Sequence, residues 1–356
     1  MIDFLVIGGG IAGVSAAARL SGICSVTLLE MENALAYHAS GRSAAMFEEN
    51  YGKPSTIALN KASKDFHDQA GVLSPRGLML VGSAEKADDF ASDQKTMKLD
   101  PITVDDARAM VPILDPKVID RVAYDPLAWD IDTDRLVQTF ARMGRANGAT
   151  IITGAQVNQI SRTAQGWAVT ASGHTHEVRH IVNAAGAWAD EIAKLAGITP
   201  IGLTPLRRSM ARIPAPGGND VSGWPMLFGP GEEWYAKPDA GALIVSPAEE
   251  DPAVPHDAYA DDMVLAEGLA RYEVYVTEPV TRLISSWAGL RTFAPDRTLV
   301  LGPDPADRSF VWCAGQGGYG MQSSPAASQL LADLVAGRPS DLPATTIRAL
   351  TPERLR

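Results

Sequence analysis

The chain has 356 residues, 46% hydrophobic and 21% charged, which is enough for a sizeable core and about two domains by length. A formal net charge of −11 with no basic stripe excludes a nucleic-acid backbone as partner. Cys24 and Cys313 are the only cysteines, too few for a disulfide framework or a zinc cluster, and Cys313 reads as a small buried apolar residue.

Taken in order, "FLVIGGGIAGVSAAARL" (4–20) is an apolar strand, a glycine turn and an alanine-rich helix, and "SVTLLE" (25–30) is a second strand ending at Glu30. This is the strand–turn–helix–strand unit of a right-handed crossover. The stretch "HASGRSAAMFEENYG" (38–52) follows, with little side-chain bulk in its first half, as suits a backbone pressed against something flat. Residues 74–130 mix short apolar runs with acidic helices, and residues 201–290 alternate strands with prolines. Between them, Asp130, Asp132 and Asp134 imitate the start of a calcium loop, but the glycine and glutamate such a loop needs are missing. A helix N-cap at Asp132 or Thr133 explains them better. "TIITGAQVNQI", "GWAVTASG" and "HEVRHIVNAAGAW" (150–188) are predicted to return to the first sheet. So is "FVWCAGQGGYGMQSSPAASQLLADLVAG" (310–337), again strand, glycine turn and small-residue helix.

The expected organisation is discontinuous. A nucleotide-binding domain takes residues 1–73, 131–200 and 291–356, and a substrate domain takes 74–130 and 201–290. No apolar run approaches the roughly 18 residues needed to span a bilayer, and no leader pattern precedes the first strand. The expected location is cytoplasmic, with peripheral membrane contact left open.

Gly8-x-Gly10-x-x-Gly13 is a dinucleotide fingerprint in the correct context: strand before, helix after. Gly8 permits the tight turn, Gly10 the approach of a pyrophosphate, and Gly13 close helix–strand packing. Glu30 stands where a carboxylate accepts ribose hydroxyls. The fingerprint does not choose between NAD and FAD. "GQGGYGMQ" (315–322) favours FAD, because a second glycine turn entering a helix offers its amides to the negative edge of a reduced flavin.

With "VIGGGIAG", "HASGRSAAMF", "DIDTD", "VNAAGAWAD", "PLRRSM", "WYAKPDAG", "WAGLRTF" and "GQGGYGMQ" in this order, nearly the whole chain resembles the D-amino-acid oxidase superfamily, and within it the bacterial D-arginine dehydrogenase branch. The resemblance implies an α/β fold: a Rossmann-like FAD domain of the glutathione-reductase type with a substrate domain built on a mostly antiparallel sheet. It implies non-covalent FAD, and an amino acid whose Cα hydrogen leaves as hydride to flavin N5. The imino acid then hydrolyses to a 2-oxo acid and ammonia. Oxygen or a quinone would reoxidise the flavin.

Residue by residue, the resemblance implies Arg208, Tyr235 and Arg291 on the substrate carboxylate. That grouping is chemically sound, since a guanidinium grips a carboxylate bidentately and a phenol adds a third bond. Arg207 and Arg212 compete with Arg208, while the apolar neighbours Trp287, Leu290 and Phe293 favour Arg291. Met46, Glu48, Tyr51, Leu78, Gly289, Gly318 and Tyr319 are the implied pocket residues. The implied flavin set is Gly8, Gly10, Ile11, Ala12, Gly13, Glu30, His38, Ser40, Gly41, Arg42, Ser43, Ala44, Ala45, Val157, Ala185, Gly186, Gly315, Gly317, Gly318, Tyr319, Gly320 and Met321, with His38 packing or capping.

Two departures bear on the substrate. Met46 replaces a histidine of the D-arginine dehydrogenase branch, and Leu78 replaces a glutamate that meets the substrate guanidinium. An apolar residue there favours D-amino acids with apolar side chains, although Glu48 near the same end would restore a charge. An oxidase of N-substituted glycines or imino acids on the same fold is the second reading. A catalytically silent flavin-fold subunit that only binds is the third.

Overall fold

The computed structural model describes all residues, 1–356. Its first sheet has eight strands, and Ile2–Ile7 lies inside it with parallel neighbours on both sides, Val26–Leu29 and His174–Asn183. Thr150–Ile152 extends the sheet beyond Val26–Leu29. Beyond His174–Asn183 lie Gly166–Ala171 and Val157–Thr163, both antiparallel, and the end of that long strand also pairs in parallel with Phe310–Ala314. Val300–Pro303 closes the edge beside Phe310–Ala314.

The period-two alternation of Ile2–Ile7 divides the interior. Phe4 and Val6 pack into a cluster with the helices Ile11–Leu20, Thr133–Ala146 and Gly320–Ala336, whereas Leu5 and Ile7 face a second cluster around Trp167, Phe310 and Trp312. Alanines 16–18 let the first helix lie close to the other two. Asp132 caps Thr133–Ala146 by accepting the Arg135 amide, as the sequence indicated. Cys313 is buried in the first cluster.

The second sheet has nine strands and is antiparallel throughout, apart from the parallel pair Met226–Phe228 and Leu78–Gly82. From Ser285–Phe293 it runs through Thr204–Pro214, Ala242–Ser246, Tyr235–Asp239, Met226–Phe228 and Leu78–Gly82 to Arg121–Asp125 and Asp100–Ile102. Met79, Val81, Leu227, Ala236 and Val245 face a core that includes Ala107 and Tyr272 from two covering helices, Val104–Met110 and Asp262–Glu273. Leu78, Met226, Phe228 and Tyr235 face the other way. That uncovered face looks onto the site.

Strands of the first sheet come only from residues 1–73, 131–200 and 291–356. The expected boundary at 290/291, however, falls inside the strand Ser285–Phe293, which pairs along its whole length with Thr204–Pro214. Sequence pattern cannot end a strand that stays paired, so a two-domain division is proposed with its last boundary after Phe293.

A small sheet of Met46–Phe47, Trp129–Ile131 and Leu73–Pro75 lies between the two large ones. One side chain ties it to the second sheet. Lys237, 9% exposed, reaches the Ala44 carbonyl at 2.6 Å and Asp130 at 2.8 Å, and Arg76 meets the same carboxylate at 2.7 Å. Removing one member of a buried pair strands the rest. Lys237→Met is therefore expected to lower stability by about 2–4 kcal/mol, read as an earlier unfolding midpoint in denaturant; an unchanged midpoint would refute this role.

Candidate active site

Two cavities of about 290 and 230 Å³ meet at Ala39, Ser40, Arg42 and Gly289. The first is built on the fingerprint. Gly8 has φ +109°, and a Cβ there would run into the Ala184 carbonyl. A Cβ on Gly13 would run into the Gly8 carbonyl. The glycines thus hold the turn, the helix and the strand His174–Asn183 at backbone contact. Glu30 lines the cavity floor and accepts the Gly9 amide at 2.5 Å and the Glu32 amide at 2.8 Å. The helix Ile11–Leu20 has no side-chain cap at Gly10, and the Ile11 amide meets Ser40 Oγ at 2.9 Å.

Gly8, Gly10, Glu30, His38, Val157, Ala185 and Gly186 line this first cavity. His38 packs on Trp188 at 4.8 Å and binds Glu32 at 2.9 Å, in line with a packing role. Arg42 bridges to the second sheet through Ala288 and Ala258 carbonyls and Asp257. Ala12, Gly13, Gly41 and Gly315 line neither cavity. Gly13 and Gly41 instead permit close backbone packing, Gly41 against Ala36.

The second cavity lies between the uncovered face of the second sheet and the loops 39–51 and 316–322. Strand pairing places its polar end. Arg208 lies opposite Gly289, and Arg291 is two residues along the same strand, so all three share one face. Tyr235 stands on that face two strands away and lines the same cavity. The structure thus brings together Arg208, Tyr235 and Arg291. The competitors turn elsewhere: Arg207 pairs with Asp251 at 2.8 Å and Arg212 with Asp239 at 2.9 Å.

Arg291 is closely fitted. A Cβ on Gly318 would overlap its guanidinium, so the absence of a side chain at Gly318 makes room for Arg291. Burial opposes the charge, yet Tyr51, Tyr235 and Glu232 around it hold its pKa above the ordinary value. Burial raises Tyr51 as well, with Glu232 adding to it; the Tyr51 hydroxyl donates to Glu232 at 3.1 Å. Glu250 lies 2.8 Å from Arg297, 3.3 Å from Arg208 and 3.6 Å from Arg291, and balances the cluster.

The opposite end is apolar, with Met46, Leu78, Met97, Met226 and Phe228. Glu48 is the exception, and burial beside Asp125 pushes its carboxyl up to about 7. Ile11, Ser40, Ser43, Ala44, Ala45, Gly317, Gly318, Gly320 and Met321 complete the wall. Tyr319 stands behind it, 5.2 Å from Tyr51. Sequence reasoning missed Glu232, Glu250, Lys237, Met97, Met210, Met226 and Phe228. Alternation from Tyr235 pointed to Lys237, but the others depend on strand order that no local pattern contains.

A family model for FAD dependent oxidoreductases, DAO, matches residues 3–334. The chain belongs to the DAO family. A bovine relative (Bos taurus), FAD-dependent oxidoreductase domain-containing protein 1, is 23% identical over 398 residues, covering 94% of this chain and 81% of the relative. The L-proline dehydrogenase of P. horikoshii superposes with a TM-score of 0.85 at 21% identity, covering 99% of this chain and 97% of that one. The glycine oxidase of Geobacillus kaustophilus gives 0.80 at 20% identity, covering 97% of each. The mixed α/β architecture is that of DAO-fold flavoenzymes, and this member of the family is an FAD-dependent oxidoreductase.

The residues present fit the DAO cofactor. A fingerprint turn with no room for a Cβ at Gly8 or Gly13, a helix start whose first amide meets only the Ser40 hydroxyl, and a buried carboxylate suit a dinucleotide, and the two adjoining cavities share Ala39, Ser40, Arg42 and Gly289. Gly8→Ala is expected to purify without yellow colour. Gly318→Ala is expected to keep its flavin absorbance but raise KM at least tenfold, because only the Arg291 guanidinium must move. A yellow Gly8→Ala protein, or a Gly318→Ala protein with normal KM, would contradict these assignments.

Proposed function

We propose that this DAO-family enzyme oxidises a D-amino acid, apolar along its side chain, to the imino acid, which then hydrolyses to a 2-oxo acid and ammonia. The observation that carries the reading is the convergence of Arg208, Tyr235 and Arg291 on one wall, with an apolar end opposite. Bound FAD would supply the hydride acceptor, held by the glycine turn at 8–13, Glu30, the loop 38–45 and the turn 315–321.

Arg291 and Arg208 bind the substrate carboxylate, and Tyr235 adds a hydrogen bond from its hydroxyl. Fixing the carboxylate at two guanidiniums orients Cα and removes rotational freedom before reaction. Leu78, Met226 and Phe228 exclude water from the side chain. The amine reacts in its neutral form, so no dedicated base is required. Gly289 and Gly318, which line the cavity without side chains, let the substrate amine and carboxylate approach the backbone.

The names of two structural neighbours, an L-proline dehydrogenase and a glycine oxidase, favour a second reading: oxidation of an N-substituted glycine or cyclic imino acid. Both readings need the same carboxylate clamp. Anaerobic bleaching of the flavin separates them. Reduction by D-leucine, D-methionine and D-norleucine but not their L forms supports the first; reduction by N-methylglycine or proline alone supports the second. Arg291→Lys is expected to raise KM roughly 10- to 100-fold by losing a bidentate charged contact, and a KM within twofold would count against the clamp.

A further inference from the structure

Glu48 is 4% exposed, lines the substrate cavity, and has an Oε2 without any hydrogen-bond partner. Such an atom is costly to bury. Its surroundings fix it in place. The Glu48 amide donates to Gln322 Oε1 at 3.0 Å, its carbonyl accepts from Asn60 at 3.4 Å, and Oε1 accepts the Asn50 amide at 2.8 Å. The group beside it, on the second sheet and outside the cavity lining, is another carboxyl. Asp125 lies directly opposite Leu78 in the second sheet, on the same face, and comes within side-chain hydrogen-bond reach of Glu48. Two carboxylates in contact cannot both stay ionised unless a cation joins them.

We propose that Glu48 and Asp125 form a proton-exchange subsite at the far end of the cavity, Glu48 lining it and Asp125 lying behind, and that the pair holds either one shared proton or, through Glu48, the cationic end of a substrate side chain. The inference rests on the cavity being an amino-acid site. It differs from the side-chain carboxylate implied by the D-arginine dehydrogenase resemblance, whose position is Leu78 here. When a substrate ammonium enters, the shared proton leaves to solvent, Glu48 accepts from the ammonium, and the Asp125 carboxylate stays ionised behind it. The subsite carries one net negative charge in either state. With the proton in place it presents a neutral carboxyl beside apolar walls and takes an uncharged chain end. One cavity therefore accepts two side-chain classes, and pH selects between them.

The other groups facing Glu48 do not compete. His67 on the helix Pro54–Ala70 is bound to the Gln322 carbonyl at 2.9 Å, Glu232 holds the Tyr51 hydroxyl, and no lysine or arginine pairs with Glu48. Burial beside Asp125 sets the exchange near pH 7.

D-Lysine and D-norleucine differ chiefly in the terminal ammonium, so their kcat/KM ratio cancels the ionisation of the reacting amine. In the holoenzyme the ratio is expected to rise about tenfold from pH 6 to pH 8, as the pair loses its proton. Glu48→Gln and Asp125→Asn are each expected to flatten that rise and to lower the ratio at pH 8 at least tenfold. A ratio independent of pH, or unchanged in both variants, overturns the subsite. If neither amino acid reduces the flavin, the amino-acid reading falls and the subsite with it.

A second readout needs no turnover. A carboxyl whose folded pKa is raised gives stability that is complete below the ordinary glutamate range and lost as pH rises through about 7. Glu48→Gln should thus gain unfolding temperature relative to wild type between pH 5 and pH 8. Parallel curves would overturn the shared proton.

Discussion

The contact between Arg291 and Gly318 joins the two halves of the site. Arg291 comes from the edge strand of the second sheet, and Gly318 from the turn that follows a strand of the first. The guanidinium occupies the space that a side chain at 318 would fill. The fold can therefore position this buried cation only if both sheets hold their register. Arg42 and Trp287 repeat the connection a few residues away, the indole donating to the Arg42 carbonyl at 3.1 Å. These contacts make the loop between them a shared wall of both cavities.

Charge is distributed along the second sheet with a direction. Arg291 and Arg208 stand at one end, Tyr235 follows, then Phe228 and Met226, then Leu78 and finally Asp125. Buried guanidiniums without anions would be costly, and Glu250 behind them meets that need. A ligand carboxylate can thus add to an already compensated cluster from the cavity side. At the far end the compensation is incomplete, because Glu48 has one oxygen unpartnered. Under the proposed function, the asymmetry between a satisfied cation cluster and an unsatisfied acid would orient a dipolar ligand.

Much of this was legible before any coordinates. The fingerprint, Glu30 and the glycine turn at 315–320 are local patterns, and local sterics decide them. Asp132 as a cap belongs to the same class. Choosing Arg208 over Arg207 and Arg212 needed more, since strand alternation alone gives Arg208 and Arg212 the same face and only the distant Asp239 removes Arg212. Leu78 taken by itself predicted a wholly apolar end. Its cross-strand partner Asp125 comes from a separate strand with no local signal, and that pairing brings a carboxyl beside Glu48. The boundary at 290/291 failed for a related reason: the strand is defined by its partner, not by its own composition.

The same two anchors constrain handedness. Under the proposed reading, the carboxylate is fixed at Arg208 and Arg291 and the side chain is drawn along the apolar wall toward Leu78. Two substituents of Cα are then placed, and the amine and hydrogen must share the remaining directions. On one side the cavity is walled by the small-residue loop 40–46 and the glycine turn 316–320, against which the flavin ring of FAD would lie under this reading, and on the other by the sheet with Tyr235. Exchanging the enantiomers exchanges amine and hydrogen between those directions. Only one hand presents its Cα hydrogen to the ring while leaving its amine among polar groups. Under the proposed reading, selection of one enantiomer would therefore follow from the separation of the arginine cluster from the apolar wall, without any residue dedicated to it.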